Sequence, residues 1–268
     1  MKTYKQSFER AEIKYMLNEF QYLSLRQYLA DYTVPDQYGK SEILNIYYDT
    51  PDSRIIRTSL EKPMYKEKLR LRCYCVPDKN SPAFVELKKK FNGIVYKRRI
   101  SLPYGQAIRF LNHPEDSASF SEEDENSAQI HREIQNFCRL YPNLRPAMII
   151  SYRRIALVGR DDPDFRITFD SDITARVTEL TLEAGRKGEE LLPGGSHLME
   201  IKVDGAVPLP LSKELSRLSI FQSSYSKYGT GYLSLVAPAT RLGTQTIRKR
   251  FPKRSFATSG APAKEMIL

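Results

Sequence analysis

Between Tyr65 and Ile100 the chain repeats one arrangement three times, with charged side chains at every second position and mainly aliphatic ones between them. In Lys68-Leu69-Arg70-Leu71-Arg72-Cys73-Tyr74-Cys75 a strand period of two puts Lys68, Arg70, Arg72 and Tyr74 on one face and Leu69, Leu71, Cys73 and Cys75 on the other. Glu86 and Lys88 share a face in the next such run. Lys97 and Arg99 do so in a third, after a turn expected at Asn92-Gly93. Arginine offers a planar fork to two oxygens and lysine a point charge, so adjacent rows of both can grip successive phosphates. Such groups can also stabilise charge that develops on oxygen during phosphoryl transfer. The solvated face of an ordinary antiparallel sheet shows the same alternation. Recurrence along the chain decides between the two.

The pattern recurs in strands expected elsewhere. Arg10, Glu12 and Lys14 share a face in Phe8 to Tyr15, and Asn45, Tyr47 and Asp49 share one in Ser41 to Asp49. Tyr152 and Arg154 form a pair in Met148 to Ala156, followed by Arg166, Thr168 and Asp170 and then by Glu200, Lys202 and Asp204. A segment near Ala175 to Leu182 would add one more strand. Helical spacing is expected for Leu17, Phe20, Leu23, Leu25 and Leu29, for Arg54 to Lys62, for the face Ile130, Ile134, Phe137, Cys138 and Tyr141, and for Ser212 to Leu218.

These elements predict an α+β protein, mainly antiparallel β, built as a closed eight-stranded tunnel barrel with a charged interior and helices packed outside. Eight strands leave room for side chains and one narrow ligand. The lining would carry Lys14, Arg70, Arg72, Lys88, Lys97, Arg99, Arg154, Arg166 and Lys202 against Glu12, Glu86, Asp170 and Glu200. Such an excess of cations is strongly unfavourable unless water or a polyanion enters.

Composition sets the remaining bounds. The 268 residues are 41% hydrophobic and 28% charged, ordinary for a globular chain. No apolar run approaches a membrane span and the N-terminus lacks an apolar signal core, so a cytoplasmic protein is expected. Cys73, Cys75 and Cys138 make no disulfide framework, and His113, His131 and His197 fit no zinc spacing. The formal net charge is +10, and Arg241 to Leu268 carries seven Lys or Arg against one Glu. Residues 1–236 therefore read as the folded domain and 237–268 as a flexible basic tail. The acidic stretch Glu115 to Glu125 reads as an exposed loop. Gly39-Lys40-Ser41 is not a P-loop, because Val34 stands where the earlier glycine is required.

Nine motifs in order resemble the VTC-type polyphosphate polymerase domain, a branch of the CYTH-like triphosphate tunnel metalloenzymes. They are Arg10-x-Glu12-x-Lys14-Tyr15, Tyr47-Tyr48-Asp49-Thr50, Leu69-Arg70-Leu71-Arg72, Glu86-Leu87-Lys88, Val95-Tyr96-Lys97-Arg98-Arg99, Tyr152-Arg153-Arg154, Arg166-Ile167-Thr168-Phe169-Asp170, Met199-Glu200-Ile201-Lys202 and Ser226-Lys227-Tyr228. The resemblance implies a closed tunnel in which ATP donates its γ-phosphoryl group to inorganic polyphosphate. Lys14, Arg70, Arg72, Lys88, Lys97, Arg154 and Arg166 would hold the reacting phosphates. Tyr152, Arg99, Lys202, Ser226 and Lys227 would contact substrate, the Ser226-Lys227 pair near a tunnel mouth. Glu200 would bind Mn2+ or Mg2+, while Glu86 keeps the plainer reading of an ion-pair partner. ATP and polyphosphate or triphosphate are the implied ligands, with membrane-associated partner proteins and no specific nucleic acid.

Two positions depart from the wider pattern. Arg10 stands where the superfamily's hydrolases carry a glutamate, and Ser224 where the polymerases carry a lysine. Hydrolysis of triphosphate in the same tunnel and non-catalytic binding of a polyanion are the rival readings.

Overall fold

The computed structural model describes residues 10–115 and 125–238. The acidic stretch after Glu115 and the tail beyond Pro238 lie outside them.

Alternating apolar and charged residues give eight long strands. They are β1 (Arg10–Leu17), β2 (Thr33–Asp49), β3 (Tyr65–Cys73), β4 (Pro82–Phe91), β5 (Ile94–Pro103), β6 (Arg145–Gly159), β7 (Arg166–Arg176) and, after the two-residue β8 (Glu189–Glu190), β9 (His197–Asp204). A second two-residue strand, β10 (Gln222–Ser223), follows. All pair antiparallel in the order β10-β1-β9-β7-β6-β2-β3-β4-β5, with β8 beside β7. Asn92 and Gly93 turn β4 into β5 with φ of 44° and 86°, the left-handed pair that a two-residue hairpin needs.

The sheet curls strongly. Five strands separate β1 from β4 in the order, which in a flat sheet would set them about 29 Å apart. Yet the Glu12 carboxylate lies 3.9 Å from the Lys88 ammonium group. The charged face is therefore concave. Register shifts between Pro35 and Lys40, between Tyr47 and Tyr48, and between Ser151 and Arg153 supply local bends.

Closure is where expectation and structure part. Among the described residues β5 and the β1–β10 end do not pair, so the ladder is an open path and the hydrogen-bonded closed barrel is not formed. The outer edge of β1 is occupied in part by β10, and side chains rather than backbone bridge the gap between the ends. The basic residues Lys97, Arg98 and Arg99 on β5 are the kind of charge that discourages pairing with another chain.

Two helix groups cover the convex face. Ile55 of α2 (Arg54–Leu60), Phe110 of α3 (Tyr104–Asn112), and Ile134 and Phe137 of α4 (Glu125–Leu140) pack with the aliphatic face of β2 to β4, including Ile46, Leu69, Leu71 and Val85. Leu25 and Leu29 of α1 (Glu19–Leu29) and Leu211 and Leu215 of α5 (Leu209–Arg217) pack with Phe169, Met199 and Ile201. No helix among the described residues is long and apolar enough to cross a membrane.

Several local expectations need correction. Phe20 and Leu23 are exposed, because α1 turns Leu25 and Leu29 inward at helical spacing. Cys75 lies beyond the end of β3 and is exposed, whereas Cys73 is buried. Residues 177–182 form no strand, and α5 starts at Leu209, ahead of the expected Ser212.

The largest correction concerns α6 (Lys227–Gly231), which continues into a π-helical turn, Tyr232–Val236. It packs on the concave side: Tyr228 stacks on Tyr47 with ring centroids 4.5 Å apart. A Cβ at Gly231 would lie 2.5 Å from Met148 Sδ, so a larger residue there would require the Met148 side chain to shift. The anchor is Asp49, fully buried, whose carboxylate accepts from the backbone N–H groups of Thr50, Ile55 and Ile56 and from the Tyr228 hydroxyl at 2.8–3.0 Å. One side chain thus caps α2 and pins α6. Asp49→Ala strips four donors of their acceptor and should lower stability by about 3 kcal/mol in urea unfolding. A loss below about 1 kcal/mol would refute this double role.

Candidate functional site

Two ion-paired clusters face each other across the concave wall. The first is built on Glu86 of β4, whose side chain is 1% exposed. Cross-strand register puts Arg70 of β3 and Arg99 of β5 beside it. Arg70 grips Glu86 Oε2 through Nε and Nη2, both at 2.6 Å, Lys97 meets Oε1 at 2.6 Å, and Arg72 stands 3.8 Å away. Burial alone would raise the Glu86 pKa, but Arg70, Arg72 and Lys97 overcome it and hold the carboxyl well below its usual range. Its ion-pair role is the structural one expected.

Arg72 is oriented from its other side. Its Nε donates to Asn45 Oδ1 at 2.9 Å and its Nη2 to the Tyr152 hydroxyl at 3.2 Å. Arg70 Nη1 donates to the Tyr47 hydroxyl at 3.3 Å. Burial would raise the Tyr47 pKa, yet Arg70, Lys68 and Arg72 bring it down to about 8. Lys97 is also pulled down to about 8, mainly by burial, which outweighs Glu86.

The second cluster is built on Asp170 of β7 and Glu200 of β9. Arg154 of β6 makes a bidentate pair with Asp170 at 2.6 and 2.7 Å, and Lys227 of α6 reaches the same carboxylate at 2.6 Å. Lys14 of β1, the register partner of Glu200, stands 3.4 Å from it, and Lys227 stands 3.9 Å away. Burial opposes ionisation of Glu200, but Lys227, Lys14 and Arg154 hold its pKa below normal. Burial lowers the pKa of Lys202, against the pull of Glu12 and Glu200. Tyr152 joins the two clusters. Its hydroxyl receives Arg72, and its ring lies 4.6 Å from the Lys227 ammonium and 5.3 Å from the Arg154 guanidinium.

The concave wall thus brings together Lys14, Arg70, Arg72, Lys88, Lys97, Tyr152, Arg154, Glu200, Lys202 and Lys227. Arg166 stands apart: it is exposed and pairs with Asp36 at 3.2 Å. Arg99, beside Glu86 in register, makes no ion pair with it and lies over the Phe84 ring at 4.5 Å. Lys227 is not a mouth residue: its side chain is 10% exposed and neutralises Asp170 inside the wall. Ser226 caps α6 by accepting from Gly229 N at 3.1 Å.

Lys68, Tyr47 and Asn45, which the same alternation puts on the charged face, complete the wall beside Arg70 and Arg72. Lys68 Nζ lies 3.4 Å from Ser226 Oγ, and burial lowers its pKa to about 8.

Among the described residues no group of three or more His, Cys, Asp or Glu is placed to hold a metal ion. A magnesium-like cation needs only one or two carboxylates when phosphate oxygens and water complete its shell. Glu200, ionised and beside cations suited to phosphate, fits that requirement. Asp170 does not, because three charge-assisted bonds already occupy it.

The ion pairs fix a pH response. Glu86 and Glu200 have pKa values depressed on folding, so their stabilisation is complete above the ordinary glutamate pKa of about 4.3 and is lost as pH falls below it. Glu86→Gln should cost about 3–5 kcal/mol at pH 7, because Arg70, Arg72 and Lys97 lose their counter-charge. That deficit should shrink on acidification in denaturant titrations from pH 7 to pH 3. A deficit independent of pH would contradict it.

No curated protein sequence matches the chain. Among solved structures, a candidate adenylate cyclase from Vibrio parahaemolyticus is similar at 14% identity and a TM-score of 0.42, over 84% of this chain and 98% of that one. The family description "VTC domain" matches residues 9–236, which hold both clusters and every long strand. By that match the chain belongs to the VTC-domain family.

Proposed function

We propose that this chain is a metal-dependent polyphosphate polymerase that transfers the γ-phosphoryl group of ATP to the end of an inorganic polyphosphate chain. The observation that carries the reading is the charge balance of the concave wall. Glu12, Glu86, Asp170 and Glu200 are each already paired with cations, while eight Lys and Arg of the wall face these four carboxylates. A linear phosphate chain supplies the missing negative charge in a narrow cross-section.

Phosphoryl transfer asks the protein for alignment and for positive charge on oxygens, with little covalent chemistry. A chain-end phosphate is already an anionic nucleophile. Arg70, Arg72 and Arg154 are held on one side by Glu86, Asn45, Tyr152 and Asp170, so their remaining N–H groups are oriented before ligand arrives. Lys14, Lys88 and Lys97 add point charges. A divalent cation bound by Glu200 would supply further neutralisation at phosphate oxygens. Cytoplasmic placement and membrane-associated partners belong to this same reading.

Incubation with ATP and manganese, with products resolved by length, tests it. Lengthening chains with release of ADP are expected, and Lys88→Ala should reduce the rate by about 100-fold or more. Glu200→Gln should remove the metal dependence. Orthophosphate without chains would replace the reading with hydrolysis, and retained polyphosphate binding without turnover would replace it with a binding module. Because Lys68 and Lys97 carry pKa values of about 8, tripolyphosphate affinity should fall as pH rises from 7 to 9.5. Lys68→Met should flatten that decline in calorimetric titrations.

A further inference from the structure

Beyond Glu86, toward the β4–β5 hairpin, charge compensation stops. On the same face of β3 and β4, Lys66 is the direct cross-strand partner of Lys90 and Lys68 of Lys88, two successive pairs of like charge. Lys97 of β5 is in turn the register partner of Lys88. Like charges directly opposite in a sheet repel, and ordinary sheets place opposite charges there. Among the described residues Lys66, Lys68 and Lys90 have no carboxylate within ion-pair distance, and Lys88 has only Glu12 at 3.9 Å.

Glu86, the carboxylate on this face of β4, is taken up by Arg70 and Lys97, and two others, Glu67 of β3 and Glu133 of α4, are engaged on the opposite face. Glu67 accepts from the hydroxyls of Tyr65 and Tyr141 at 2.6 and 2.8 Å, and Glu133 of α4 pairs with Lys89 and Arg98. All four lysines are partly buried rather than splayed into solvent. Burial, reinforced by Lys90, Lys62 and Lys88, lowers the pKa of Lys66. The wall maintains a repulsive arrangement that a row of anions would relieve.

We infer that Lys66, Lys68 and Lys90, together with Lys88, form a subsite for a linear polyanion, a run of phosphates extending past the ion-paired wall. The subsite continues the β3 row, since Lys66, Lys68, Arg70 and Arg72 follow one another on one face over about 20 Å. Lys68 links it to α6 through Ser226. Lys68 and Lys88 adjoin the wall, and Lys66 and Lys90, one pair further out, hold the part of the chain beyond the first few phosphates. Its ligand class rests on the polyphosphate reading of the adjoining wall.

The test compares wild type with Lys66→Met/Lys90→Met, titrated calorimetrically with tripolyphosphate and with polyphosphate of several tens of units. Long-chain affinity should fall about tenfold or more, equivalent to about 1.4 kcal/mol, while tripolyphosphate affinity changes less than about twofold. The salt dependence of long-chain binding should also become shallower. Removing the repulsion should leave the variant at least as stable to heat as wild type.

Unchanged long-chain binding would overturn the assignment. Equal losses for both ligands would overturn it too, because the lysines would then act only through the general field. Long-chain binding that depends on Lys66 and Lys90, in a protein that neither binds tripolyphosphate nor turns over ATP, would support the subsite and refute the polymerase reading.

Discussion

An excess of positive charge held on the inside of a curved sheet is the constraint on which the rest of this structure depends. Burying unpaired ammonium and guanidinium groups is costly, and the fold limits that cost by giving Glu12, Glu86, Asp170 and Glu200 two or more cations each. Glu86 and Asp170, almost fully buried, each gather two close charge-assisted partners. The same contacts that make the cations tolerable also orient them. Stability and ligand readiness therefore arise from one set of interactions.

The curl depends on what covers each face. Apolar residues at alternate positions bury the convex side under α1 to α5, and bulges let β2 and β6 bend around the charged side. α6 then inserts at one end of the concave face, where Tyr47, Ile150, Met148 and Tyr228 make a small apolar core. Asp49 ties that insertion to α2. The motif Tyr47-Tyr48-Asp49-Thr50 thus serves two ends: Tyr47 faces Arg70, and Asp49 works wholly as scaffold.

Much of the wall was legible because strand geometry is periodic. A period of two sorts Lys68, Arg70 and Arg72 from Leu69 and Leu71 without any knowledge of neighbours, and the Asn92-Gly93 turn fixes the register of β4 against β5. Helical faces were less legible. Phe20 and Leu23 look as apolar as Leu25 and Leu29, and only the phase of α1 against β7 and β9 separates them. Arg166 and Lys227 show the same limit for charge. Each sits in a basic motif, but Arg166 turns to an exposed pairing with Asp36 and Lys227 becomes a buried counter-ion.

The sequence by itself determined the existence of the eight long strands, the separation of charged from aliphatic faces, and the surplus of cations on one of them, because these follow from residue type and backbone periodicity. Tertiary structure alone decided which cations are neutralised and which are not. Glu86 lies 16 residues from Arg70, Asp170 lies 57 residues from Lys227, and Glu12 meets Lys88 across five intervening strands. It also decided that the ends of the sheet meet through side chains rather than a hydrogen-bonded seam. Pairing and closure depend on the curvature that brings distant strands together, and curvature is a property of the packed sheet as a whole.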